Sequence, residues 1–173
     1  MTNEITSRDR IDALIARFPY QFASKHLGIN VSYGWVGIFE QLCTDIDALL
    51  GDDKRGFHWV QCKEKHGGAC FYYETEKATM GVRISAFMPG GKVVVSRTPA
   101  EPADGSDVLR RLDKLVADAE ERSEQFCYAC GEPGRMWTTR WYLTLCDTHG
   151  RLHRDDRDEF IEELSARNGP YRE

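Results

Sequence analysis

Two short cysteine-bearing pairs constrain this chain more than anything else in it. Cys127-Tyr-Ala-Cys130 is followed, after 15 intervening residues, by Cys146-Asp-Thr-His149. Each pair places two metal donors on one tight turn, and a loop of this length folds back so that the pairs face each other. That is the layout a tetrahedral zinc site requires. Gly131, directly after the second cysteine, lets the backbone turn with little steric cost. Cys127, Cys130, Cys146 and His149 are therefore the expected ligands of one structural zinc ion per chain. His153, one helical turn beyond His149, is the competing choice for the fourth position. Four protein ligands leave no open position for water or substrate, and the binding free energy of such a site becomes folding free energy.

The surrounding residues supply an architecture for the site. Arg135 to Leu145 reads as two short extended stretches broken near Thr139-Arg140. A helix follows, with Asp155, Asp156, Asp158 and Glu159 near its start and Phe160, Ile161 and Leu164 as its apolar face. A knuckle, a hairpin and then ligands at a helix start is the order of a treble-clef-like zinc finger, here over residues 124–173.

Residues 1–123 read as an α+β domain. Thr6-Ser7 ahead of Ile11, Leu14, Ile15 and Phe18 predicts a capped helix over about 7–18, closed by Pro19. Trp35, Ile38, Phe39, Leu42, Cys43, Ile46, Leu49 and Leu50 recur at helical spacing and predict a helix over 35–50. A third helix is expected at 106–123, with Val108, Leu109, Leu112, Leu115, Val116 and Ala119 on one face. Between the last two, strands are expected at about 57–65, 69–75, 80–88 and 92–97, with His66-Gly67-Gly68 and Pro89-Gly90-Gly91 as turns. The expected arrangement is a four-stranded antiparallel meander packed with helices, followed by a linker containing Pro99, Pro102 and Gly105.

Charge narrows the function. The chain carries 23 basic and 28 acidic residues, a net of −5. From Cys127 onward there are seven arginines and no lysine against nine acidic residues, a net of −2. Proteins that rely on neutralising phosphates usually have the opposite sign, so nucleic acid is disfavoured as the main partner. No apolar run approaches the roughly 20 residues that span a bilayer. The first residues lack the basic and apolar regions of a signal peptide, so a cytoplasmic location without membrane attachment is expected. Six cysteines in a reducing compartment read as ligands or core rather than as disulfides.

Cys43, Cys62 and Cys70, with His58, lack any paired spacing and read as buried small hydrophobes. Tyr33, Trp35, Trp59, Tyr72 and Tyr73 read as core rather than as a stacking platform. Two basic groups remain as candidate partner-binding residues. One is Lys63, Lys65 and His66 on the first hairpin, and the other is Arg135 and Arg140 beside the finger.

Taken in order, several motifs resemble a known family. Gly34-Trp35 leads into a helix with Leu42-Cys43, followed by Val60, Lys63-Glu64-Lys65, Gly67-Gly68 and Phe71-Tyr72. This resembles the GW … KEKFGGLRFY region of small proteins encoded by bacteriophages and prophages. In those proteins a helix and a C-x-x-C-G-x-P-G … W … T-L-C-x-x-H module follow. Here the module is similar to Cys127, Cys130, Gly131, Pro133, Gly134, Trp141, Thr144, Leu145, Cys146 and His149. The resemblance covers roughly residues 34–150. His66 stands where an aromatic is usual, Ala69-Cys70 replace a Leu-Arg pair, and the segment 80–97 is longer. The resemblance implies a phage-linked origin and the same zinc ligands, and supplies no reaction.

The expected function is that of a zinc-stabilised, non-enzymatic accessory protein acting through a host or phage protein partner. Two alternatives stand beside it. One is an HNH-like nuclease, drawing on His149, His153, Asp147 and Asn168. The other is nucleic-acid binding by the finger.

Overall fold

The computed structural model describes residues 5–76, 78–79, 83–87, 93–97, 106–139 and 141–170. The chain is a mixed α+β protein. Its first helix, α1 (Ser7–Arg17), opens on a reciprocal cap. The Thr6 hydroxyl accepts the Asp9 N–H at 3.2 Å, and the Asp9 carboxylate accepts the Thr6 N–H at 2.9 Å. Each bond satisfies a donor that has no partner within the helix. A 3-10 turn at Pro19–Phe22 and a two-residue strand, β1 (Gly28–Ile29), lead into α2 (Tyr33–Leu50). The α2 stripe buries Trp35, Val36, Ile38, Phe39, Leu42, Cys43, Ile46 and Leu50.

Strands β2 (His58–Lys65) and β3 (Gly68–Thr75) form the long hairpin. The turn uses only His66 and Gly67, both with positive φ (55° and 85°). Two such residues suit the right-handed twist of a hairpin, and histidine is one of the few side chains that tolerates the left-handed region. Strand β1 adds parallel to β2, and β4 (Ala78–Thr79) adds antiparallel to the far end of β3. Phe39, Phe57, Trp59, Phe71 and Tyr73 pack ring against ring between hairpin and helix, with Phe39 stacked on Phe71 at 5.2 Å. Each fully buried aromatic is worth on the order of 2–3 kcal/mol relative to exposure. Gln21 is buried among them without penalty: its amide donates to Tyr20 Oη and the Cys43 carbonyl and accepts from Trp59 Nε1.

The expected four-stranded antiparallel meander is not formed. Strands β5 (Arg83–Phe87) and β6 (Val93–Arg97) pair with each other as a separate two-stranded sheet. The reason lies on the outer edge of β3, which the third helix, α3 (Ser106–Ser123), already occupies. The Ala69 N–H donates to Ser123 Oγ at 2.7 Å, and the Phe71 N–H donates to Glu120 Oε1 at 2.8 Å. Another strand would need those same donors. The remainder of the two expected strands, at 80–82, 88 and 92, and the linker at 98–105 lie outside the described residues.

Beyond α3 come β7 (Arg135–Trp137), β8 (Leu143–Leu145), α4 (Asp147–Asp155) and α5 (Arg157–Asn168). The single helix expected after His149 is thus two. Asp156 leaves helical geometry (φ −139°, ψ 90°) and caps α5 by accepting the Glu159 N–H at 3.1 Å. Among the described residues no helix is long and apolar enough to cross a membrane.

Candidate metal centre

Three short elements bring the cysteines and one histidine together. The knuckle is closed by the Gly131 N–H donating to the Cys127 carbonyl at 2.9 Å, with Gly131 at φ 81°. The Tyr128 N–H donates to the Thr144 carbonyl at 2.8 Å, which lays the knuckle beside β8. Cys146 is the N-cap of α4, and His149 sits in its first turn, so both point back at the knuckle.

The ligand atoms of Cys127, Cys130, Cys146 and His149 all lie within 4.8 Å of one another. A tetrahedron with metal–sulfur bonds of about 2.3 Å and a metal–nitrogen bond of about 2.1 Å has edges of roughly 3.6–3.8 Å. Cys127 Sγ to His149 Nδ1 is 3.6 Å and Cys130 Sγ to Cys146 Sγ is 3.9 Å. Cys146 Sγ to His149 Nδ1, at 3.1 Å, is tighter than that. The four residues fit a metal ion, and His149 rather than His153 joins the cysteines. His153 is buried edge-on to Phe160, with ring centroids 5.0 Å apart.

The centre is fastened to the N-terminal part at three places. First, Gly34 in α2 lies against the knuckle and donates its N–H to the Tyr128 carbonyl at 3.1 Å. Beside it Trp35 donates Nε1 to the Phe126 carbonyl at 2.8 Å and meets the Tyr128 ring edge-on at 5.0 Å. Second, the tip of the β2–β3 hairpin docks on the β7–β8 hairpin. Thr144 Oγ1 donates to the Gly67 carbonyl at 2.7 Å and Trp141 Nε1 donates to Glu64 at 3.3 Å. Third, Ser32 makes no side-chain cap for α2. Asn168, at the end of α5, accepts the Tyr33 N–H at 2.8 Å instead.

Thiol chemistry at the site is uneven. Burial pushes the Cys127 thiol up to about 12 and also raises Cys130. Burial acts upward on Cys146 too, but hydrogen bonds from the His149 backbone and ring, and from Cys127, outweigh it and bring this thiol to about 7. A metal ion binds thiolates, so protons leave as it enters. Below pH 7 all three thiols of the metal-free protein hold protons. Above about pH 7 Cys146 gives up its proton first, while burial keeps Cys127 and Cys130 protonated to higher pH. The logarithm of the metal-binding constant is therefore expected to rise with pH. The thiols contribute a slope of about three below pH 7 and about two above it. Competition against a chelator at stepped pH measures this; a flat profile contradicts thiolate ligation.

The other sequence candidates are dispersed. Cys43, Cys62 and Cys70 are buried, and among the described residues the Cys127 group alone gathers three or more potential ligands. Trp35, Trp59 and Tyr73 are core. Of the nuclease candidates, Asp147 pairs with Arg135 at 3.0 Å, and Asn168 caps α2. Lys65 and His66 line one cleft with Glu64, Trp141 and Tyr142. Strand alternation puts Lys63 on the same side of β2 as Lys65. Arg135 lies over the Trp137 ring where β7 pairs with Leu145, away from that cleft, and Arg140 lies outside the described residues. Ile161, expected in an apolar face, is 41% exposed.

Two features escaped the sequence. Trp141 is 60% exposed and Tyr142 39%, although tryptophan is usually mostly buried. Glu163 Oε1 accepts from His149 Nε2 at 3.0 Å, 14 residues along the chain, with no motif to mark it.

No family model matches the chain, and no curated protein or solved structure matches it.

Proposed function

We propose that the chain is a zinc-stabilised, non-enzymatic binding protein that engages a protein partner through the cleft between the two hairpins. Three thiolates and one imidazole in a closed tetrahedral set suit zinc in a structural role. The order of knuckle, β7–β8 hairpin and ligands on the first turn of α4 supports a treble-clef finger. A phage or prophage origin rests on the motif resemblance described above, and the partner is then a host or phage protein.

The observation that carries the binding role is the pair Trp141 and Tyr142. They stand exposed beside Lys65 and His66 around a cleft of about 350 Å3. The Trp141 indole is held by its Nε1 bond to Glu64, so its ring is positioned in solvent before any partner arrives. Rigid, half-exposed aromatics beside basic groups are typical interface anchors.

Trp141→Ala is expected to weaken partner binding by about 2 kcal/mol or more, roughly 30-fold, while zinc content and melting temperature stay near the wild type. Affinity capture from host lysate with both proteins, followed by titration of the species that only the wild type retains, measures it. Equal retention by both proteins removes the cleft from the binding role. Salt-sensitive binding of single-stranded oligonucleotides that Trp141→Ala abolishes would reassign the cleft to stacked bases.

A further inference from the structure

The last helix is poorly suited to hold itself in place. Of its apolar side chains only Phe160 is fully buried, and Ile161 is exposed. What turns inward is largely polar. Phe160, Glu163, Leu164, Arg167 and Asn168 follow one another at spacings of three, one, three and one, which places them on one side of α5. Three of them bind named groups elsewhere. Glu163 Oε1 takes a hydrogen bond from His149 Nε2. Arg167 Nε and Nη2 donate to the same oxygen at 3.1 and 2.9 Å, and its guanidinium lies 5.7 Å over the Tyr33 ring. Asn168 accepts the Tyr33 N–H.

The imidazole geometry dictates the proton. Neutral histidine carries one N–H. With Nε2 facing a carboxylate oxygen at 3.0 Å, that nitrogen must be the donor, because a lone pair there would face another lone pair. Nδ1 is then the nitrogen left for a metal ion, which would take the place of any proton there, and it lies 3.1 and 3.6 Å from the Cys146 and Cys127 sulfurs. Histidines that ligate metals are commonly oriented in this way by a carboxylate on the second nitrogen.

We propose that Glu163 is a positioning residue for the metal centre. It fixes the His149 ring with Nδ1 toward the metal, and through this bond metal binding holds α5 against the first turn of α2. The inference rests on the reading of the four-ligand site. It adds a residue outside the cysteine–histidine motif and gives the C-terminal helix a dependence on the metal.

The test uses the full chain as wild type, Glu163→Gln and Glu163→Ala. Zinc affinity is measured by competition with a chromophoric chelator. The His149 tautomer is read from long-range proton–nitrogen correlations, and exchange of the α5 amides is followed in the zinc-loaded proteins. Glu163→Ala is expected to weaken zinc binding by about 10- to 100-fold. It should also expose the Nε2 proton to rapid exchange and speed exchange across Arg157–Asn168 while zinc is still bound. Glutamine keeps an acceptor oxygen, so Glu163→Gln should fall between the two on all three readouts. It also serves as the deciding variant if the alanine form does not fold. A merely structural role for Glu163 would lower the melting temperature while leaving zinc affinity and the Nε2 resonance of both variants at wild-type values, and that result overturns the inference. A wild-type chain that binds no zinc removes the metal reading and this inference with it. A wild type that binds zinc alongside indifferent variants removes the inference alone.

Discussion

Stripping the metal with a strong chelator, or replacing Cys127 by serine, is expected to unfold more than the finger. Serine offers a hydroxyl where a thiolate is needed, so Cys127→Ser should lose stoichiometric zinc. In isolated zinc fingers the metal supplies an apparent 10–16 kcal/mol of folding free energy, comparable with the whole stability of an ordinary domain, about 5–15 kcal/mol. Here the knuckle also accepts the Gly34 N–H, its neighbour Phe126 takes the Trp35 indole, and Tyr128 packs on that indole. Loss of the metal therefore frees the first turn of the central helix. Even if only about 4 kcal/mol of the metal term is felt globally, the melting temperature of a chain this size drops by roughly 8–16 °C. Elemental analysis and melting curves with and without chelator measure both halves. Identical curves would show that the metal centre bears no part of the fold.

Gly34→Ala tests the same junction from the other side, and its sign is the informative part. Within a helix alanine is normally better than glycine by up to about 1 kcal/mol. At Gly34 a methyl group would stand 2.0 Å from the Cys127 carbonyl oxygen, 2.6 Å from the Gly131 nitrogen and 2.7 Å from the Tyr128 carbonyl oxygen. All three are backbone atoms of the knuckle turn and cannot step aside as a side chain can. The helix and knuckle would have to separate, breaking the Gly34–Tyr128 hydrogen bond. Destabilisation of about 3 kcal/mol or more is expected, at the upper end of overpacking costs, with weaker zinc binding beside it. Gly37→Ala is the control on the same helix. Its nearest neighbour is the Arg10 guanidinium, paired with Glu40, at 3.4 Å, an ordinary contact distance, so a neutral or stabilising effect of up to about 1 kcal/mol is expected. Denaturant unfolding of the two variants should move in opposite directions. If both shift the same way, close approach of backbones is the wrong account of Gly34.

These two positions also show where sequence reasoning has reach. The apolar stripe from Trp35 to Leu50 marks a helix because every member must reach the same core, and α2 runs over Tyr33–Leu50. The alternating aromatics around His66-Gly67 mark a hairpin, since only a turn accommodates two residues with positive φ between two extended runs. The fate of the second strand pair was not readable. Its alternation is as strand-like as that of the first, but the edge it would have joined is held by Ser123 and Glu120 of α3. A serine and a glutamate on a helix carry no local mark of capping strand donors some 50 residues away.

That Cys127, Cys130, Cys146 and His149 gather where they could hold a metal ion was legible in the sequence alone, because a tetrahedral site built from two tight turns imposes a spacing that is visible without coordinates. His149 was the expected fourth member over His153, and the tertiary structure supplies the physical reason. Both lie on one face of a short helix, and only the placement of Cys146 at the N-cap turns the first toward the sulfurs while the second packs on Phe160. The outer partners were a tertiary decision. Glu163, Asn168 and Gly34 act on the centre through contacts between segments far apart in the chain. Sequence periodicity reports which face of an element is buried, and says nothing about which distant backbone or side chain will be met there.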